Sequence, residues 1–193
     1  VLFEDNVFHD APELLRFKHV NDQMDFRHDL ILELLRTHGE SPEEIDVFVG
    51  RGGSAYSQHE GVMLIDEVLY LDTVHAVGGS DHPAKLGVML AYEMGKTYGK
   101  DAYTLDPTNV DELSDLARLT GLKGVYRNAQ FHVLNQKAVA RRHCELHDLK
   151  YEEHNFIVAH IDGGITVHAH RKGKMIDGNV GSGGDGAFTP TRI

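Results

Sequence analysis

Residues 157–170 read IVAHIDGGITVHAH, two alternating apolar runs with only Asp162-Gly163-Gly164 between them. A connection that short has no room for a helix, so the runs are neighbouring antiparallel strands. The chain before about residue 150 has a different grammar, in which helical periodicity alternates with short apolar strands. Alternation of that kind predicts an α/β fold. The change of pattern near Tyr151-Glu152-Glu153 predicts the start of a second sheet, and so a domain boundary between 152 and 153. No internal repeat interrupts this reading.

Residues 11–38 carry Phe17, Val20, Met24, Ile31 and Leu35 at helical spacing, with Gly39 where a C-terminal cap belongs. Ser41-Pro42-Glu43-Glu44 has the form of a cap followed by a short helical turn. Ile45 to Val49 reads as a strand that ends in Gly50-Arg51-Gly52-Gly53-Ser54, and residues 62–71 suit one or two further short strands. Ser80-Asp81-His82-Pro83 opens a helix that stops at Gly99, and residues 101–107 form a strand delivering Asp106 at its end. A helix is expected over 109–120 with Leu113, Leu116 and Ala117 inward, and another over 131–146 with Phe131, Leu134 and Ala138 on one side. A third strand of the late sheet falls near Lys174 to Asp177, followed by a glycine-rich tail.

Several residue sets carry chemistry. Gly50-Arg51-Gly52-Gly53-Ser54-Ala55 matches G-x-G-x-x-A, with Asp72 at the distance of a ribose contact. That dinucleotide motif requires a helix directly after the glycines, and too few residues stand before Gly61 to build one. Arg51 is then either a surface residue of a strand-end turn or a bidentate contact for an oxyanion. Asp106 is either a turn residue before Pro107 or a strand-end carboxylate, where α/β sheets place their chemistry. His82 and His132 each stand at a helix start. His168 and His170 share a strand face, and with His160 across the turn they would make a three-histidine metal site. The turn Asp162-Gly163-Gly164 offers instead the unobstructed N–H groups of a phosphate cradle. His143 and His147, spaced i, i+4, could chelate a metal adventitiously.

The formal net charge of -11 argues against nucleic acid and anionic membrane as partners, since both need a basic footprint. No apolar run approaches the roughly 18 residues that span a bilayer. The N-terminus lacks the basic region of a signal peptide, and the single Cys144 suits a reducing cytosol, so a cytoplasmic protein is expected.

Taken in order, the stretches VGRGGS, DHPAKLG, DAYTLDPTNVDEL, FHVLNQKAVAR, YEEHNFIVAHIDGGITVHAHRKGKMID and DGAFTPTR resemble the butyrate kinase branch of the acetate kinase family. The resemblance implies a ribonuclease-H-like fold of the actin, sugar kinase and Hsp70 ATPase type. Residues 1–152 would be most of a first domain and 153–193 the start of a second. It implies transfer of a phosphoryl group from ATP, with Mg2+, to a short-chain carboxylate such as butanoate. On this reading Arg51, Asp106, His132 and Arg192 are catalytic, with Asp106 also at the metal. Arg51 and His82 contact the carboxylate substrate, and His160, Asp162, Gly163 and Gly164 hold phosphate. Family members commonly form homo-oligomers. The family places a glycine or another small residue where this chain has Asp162. It also continues beyond both ends of these 193 residues, so the chain is expected to be a portion of a longer protein. The other class of function in view is a non-catalytic relic or a histidine-based metal-binding protein.

Overall fold

The computed structural model describes residues 1–53, 58–77 and 82–180. Ser54, Ala55, Ser80, Asp81, the glycine-rich tail and Arg192 lie outside them. The elements are α1 (Ala11–Leu14), α2 (Met24–Thr37), β1 (Val47–Gly50), β2 (Val62–Leu64), α3 (Glu67–Val74), α4 (Lys85–Tyr98), β3 (Asp101–Leu105), α5 (Asp115–Arg118), α6 (Val133–Leu146), β4 (Asn155–Ile161), β5 (Ile165–Arg171) and β6 (Lys174–Gly178). Contacts group them into two units: Val1–Ala55 with Val62–Leu105, and Tyr56–Gly61 with Asp106–Ile193. The expected division at 152/153 does not coincide with the limits of these units.

In the first unit β3 lies centrally, parallel to β1 and antiparallel to β2. Its core gathers Leu35, Phe48, Ile65, Val88, Ala91, Met94 and Ala102. Helix α4 meets the end of β1 at backbone distance. A Cβ on Gly50 would collide with the Gly87 carbonyl, and one on Gly87 with the Arg51 carbonyl. Glycine here serves helix–strand packing. No helix follows the glycines directly among the described residues, and Asp72 lies within α3, so the dinucleotide reading finds no support.

Two expected elements in this unit differ. The helix over 11–38 is interrupted, because the Phe17 ring packs 5.6 Å from Phe26 with Arg16 over both. Nine residues along one straight helix would hold those rings about 13 Å apart. Residues 62–71 are strand only to Leu64. The Asp66 carboxylate accepts from Leu69 N–H at 2.8 Å and starts α3, an N-cap that the apolar run concealed.

In the second unit β4, β5 and β6 form an antiparallel meander in that order. The register sets His160 opposite Thr166 and Val158 opposite His168. The polar residues of the hairpin face inward: Thr166, His168 and His170 are sealed, while Ile157 and Ile161 are exposed. The inner face meets α6, whose buried side is Val133, Gln136, Lys137, Ala140 and Cys144 rather than Leu134 and Ala138. Polar residues turn inward because each finds buried partners. The expected helix over 109–120 shrinks to α5, with Leu116 80% exposed. Donors upstream of it are used elsewhere: Ser114 N–H bonds Ile176 O at 2.9 Å and Asp111 N–H bonds Gln58 O at 3.2 Å.

Candidate functional site

The hairpin turn and the first turn of α6 build one constellation. His132, the residue that precedes α6, lays its ring against the turn. A Cβ on Gly164 would come within 2.8 Å of His132 Cε1 and 3.1 Å of Nε2. The His132 ring also stacks on His160, centroids 3.8 Å apart and planes 11° from parallel. His160 Nδ1 lies 2.8 Å from the Asn135 amide nitrogen. His132 Nδ1 lies 2.9 Å from Thr166 Oγ1. Within the turn, Asp162 N–H bonds Gly164 O at 3.2 Å, and Asp162 and Gly163 are exposed while Gly164 is buried. The structure therefore brings His132, His160 and Gly164 together, with backbone on one side and imidazole on the other.

Behind this lies a buried polar layer that the sequence reading missed. The Gln136 amide nitrogen contacts Thr166 Oγ1 at 2.7 Å, Thr166 O at 3.1 Å and His168 Nδ1 at 2.9 Å. Its oxygen lies 3.1 Å from His170 Nε2, and His170 Nδ1 lies 2.6 Å from the Tyr151 hydroxyl. Burial lowers the pKa of His168 to about 3, helped by His170, and that of His170 to about 4. Burial likewise pushes the Tyr151 hydroxyl up, so it stays protonated. His168 and His170 are structural imidazoles held neutral. A signal was available: Gln136 follows His132 by one helical turn, on the same face.

Asp106 occupies a second polar cluster. It is 1% exposed, with a left-handed backbone at φ 40° that aspartate tolerates better than most residues. One carboxylate oxygen accepts from Gly61 N–H at 2.7 Å and the other from Arg141 at 2.8 Å. Arg141 also faces Glu60 at 3.6 Å. Lys137, fully buried, pairs with Glu60 and, at 2.8 Å, with Glu112. Lys137 and Arg141 are one turn apart on α6, so this helix carries both clusters. Neither cation was singled out from the sequence.

Arg51 and His82 belong to the first unit. Gly52 and Ala84 touch backbone to backbone, so Arg51 and His82 stand at the same end of β1 and α4. His82 Nδ1 accepts from Ala84 N–H at 3.0 Å, the helix-start role. No group of three His, Cys, Asp or Glu among the described residues is arranged to hold a metal. The three-histidine site does not form, since His160 stacks on His132 while His168 and His170 are bound to Gln136. His143 and His147 are neighbours, ring centroids 4.4 Å apart, without a third ligand. No helix among the described residues is long and apolar enough to cross a membrane.

The fold is α/β and ribonuclease-H-like, of the actin, sugar kinase and Hsp70 ATPase type, as expected. The solved structures that share it include the acetate kinase of Porphyromonas gingivalis, with TM-score 0.64 and 22% identity over 85% of this chain and 43% of that one. The acetate kinase of Entamoeba histolytica gives 0.59 and 20% over 82% and 41%. A propionate kinase from Francisella tularensis subsp. tularensis SCHU S4 gives 0.63 and 14% over 79% and 41%. The chain thus spans about two-fifths of the length of these kinases. No family model matches it.

Proposed function

We propose that this chain is part of a carboxylate kinase of the acetate kinase family, butyrate-kinase-like, that converts ATP and a short-chain carboxylate such as butanoate into ADP and an acyl phosphate. The observation that carries the reading is the turn at Gly164, lined by backbone on one side and by His132 on the other. The glycine half of the turn, Gly163-Gly164, exposes backbone next to an imidazole, the combination that binds an oxyanion. The fold shared with acetate and propionate kinases supports the same class.

In the reaction a carboxylate oxygen attacks the γ-phosphorus, a new O–P bond forms, and the bond to the β-phosphate oxygen breaks with its electron pair leaving on ADP. A carboxylate is already a nucleophile near pH 7, so no base is required. The protein's share is positioning and charge neutralisation. His132, His160, Asp162, Gly163 and Gly164 form the phosphate site on this reading, and Arg51 with His82 takes the substrate carboxylate. Arg192 belongs to the same set and lies outside the described residues. Asp106 would hold Mg2+, which when bound neutralises phosphate charge. Gly61 and Arg141 use two of the roughly four acceptor positions of its carboxylate. A single carboxylate suits a Mg2+ that takes its other ligands from phosphate and water, but this one is sealed and paired with Arg141, so holding the ion would require Arg141 to swing away from it. The division at 152/153, homo-oligomer formation and a cytoplasmic setting go with this proposal.

The test is a thermal melt of the chain with Mg-ATP, inorganic phosphate, butyrate and Zn2+ in turn, beside hydroxylamine trapping of acyl phosphate from butyrate, propionate and acetate. Stabilisation by Mg-ATP that is lost in Gly164→Ala supports the kinase reading. Stabilisation by Zn2+ alone sinks it and returns the histidines to metal binding.

A further inference from the structure

The buried polar layer behind the turn fixes more than shape. The Gln136 amide can lie only one way round, because its nitrogen faces the Thr166 carbonyl oxygen, an atom that only accepts. Its two N–H groups face three acceptors: one donates to His168 Nδ1, and the other is shared between the Thr166 carbonyl and Thr166 Oγ1. The Thr166 hydroxyl is fully buried, and its remaining partner among the described residues is His132 Nδ1. An amide nitrogen cannot accept, so the hydroxyl proton goes to His132 Nδ1, and a neutral His132 carries its own proton on Nε2. The amide oxygen in turn accepts from His170 Nε2, whose Nδ1 accepts from Tyr151. The donors run one way from Tyr151 through His170, Gln136 and Thr166 to His132, a head-to-tail series that polarises each member.

We propose that Thr166 and Gln136 are positioning residues that hold His132 as the Nε2-protonated tautomer, so that the ring nitrogen beside Gly164 carries a proton rather than a lone pair. His132 Nε2 is the ring nitrogen that lies beside Gly164. This rests on the reading of the turn as an oxyanion site. It gives that site its character: an N–H at Nε2 matches a phosphoryl oxygen and would not serve as a general base or as a Zn2+ ligand through that nitrogen.

The experiment is nitrogen-15 NMR of the imidazole rings in the full chain at pH 7.5, with His132 assigned through His132→Gln. The expected spectrum shows His132 Nε2 protonated and Nδ1 as the bare, hydrogen-bonded nitrogen. Thr166→Val is expected to give a mixture of tautomers, and Thr166→Ser to restore a single one. A protonated Nδ1 in the wild type overturns the proposal without recourse to any variant. So does a tautomer unchanged in a Thr166→Val protein whose other histidine signals show it folded. Titration with inorganic phosphate in the same tube is separate. A locked tautomer with no phosphate response at His132 would refute the oxyanion reading and leave the lock standing.

Discussion

The imidazole of His132 is clamped by two contacts: it stacks on the ring of His160, 3.8 Å away and 11° from parallel, and its Cε1–Nε2 edge lies against Gly164, with no room there for a methyl. The pairing joins α6 to the hairpin turn and holds His132 Nε2 beside the turn backbone.

Gly164→Ala places a methyl within 2.8 Å of His132 Cε1. The ring must move, at a cost of about 1–3 kcal/mol. The expected outcome is a modest loss in urea-unfolding stability together with loss of Mg-ATP or phosphate stabilisation. Retention of both would mean that the clamp is not needed.

Acid should destabilise the second unit through His168 and His170. Their folded pKa values, about 3 and about 4, lie below the unfolded value of 6.5. Below about pH 6.5 the unfolded chain binds protons that the folded chain refuses, so stability falls with pH down towards those values. Each histidine contributes up to about 1.4 kcal/mol per pH unit. Urea midpoints at pH 7, 6 and 5 should therefore fall steeply, and the slope should flatten in His170→Gln. An unchanged slope would contradict the assignment of His170 as a buried neutral base.

Lys137→Met removes a cation that is fully buried between Glu60 and Glu112. Glu112, whose side chain is 9% exposed, is left as the uncompensated charge. A loss of about 3–5 kcal/mol is expected. Adding Glu112→Gln should recover part of it, which a double-mutant cycle measures.

Asp162 is exposed on the turn that the proposal assigns to phosphate. Asp162→Gly removes a like charge from the site and should tighten phosphate binding severalfold at low salt, less at high salt. Isothermal titration at two ionic strengths checks this. Equal affinity for both proteins would place the anion away from the turn.

Local signals carried much of the fold. The short turn after Ser41, the strand ending at Gly50, the helix closed by Gly99 and the hairpin around Asp162-Gly163-Gly164 are all written in period and turn chemistry, and all form, although Ser41 bonds Glu43 rather than capping the turn. The failures share a cause. Ser114 meets Ile176 through a contact that no local window contains, and Phe17 meets Phe26 by a chain reversal that helical spacing does not signal. The inward face of α6 was misjudged because Gln136 and Lys137 look like surface residues until their partners on β5 and at Glu60 and Glu112 are known. His132, Gly164 and Asp106 were legible as candidates. Thr166, Gln136 and Arg141, which hold them, were not.

The series from Tyr151 to His132 has a property set by its middle member. Imidazoles and hydroxyls can pass protons along a file, taking one on one side and releasing one on the other. A carboxamide does not do so readily: Gln136 accepts from His170 through oxygen and donates to Thr166 through nitrogen. The file therefore conveys polarity towards the turn while blocking proton flow. His170 has no proton path to His132 through this file, and an abundance of histidine next to a turn need not mean that the turn handles protons.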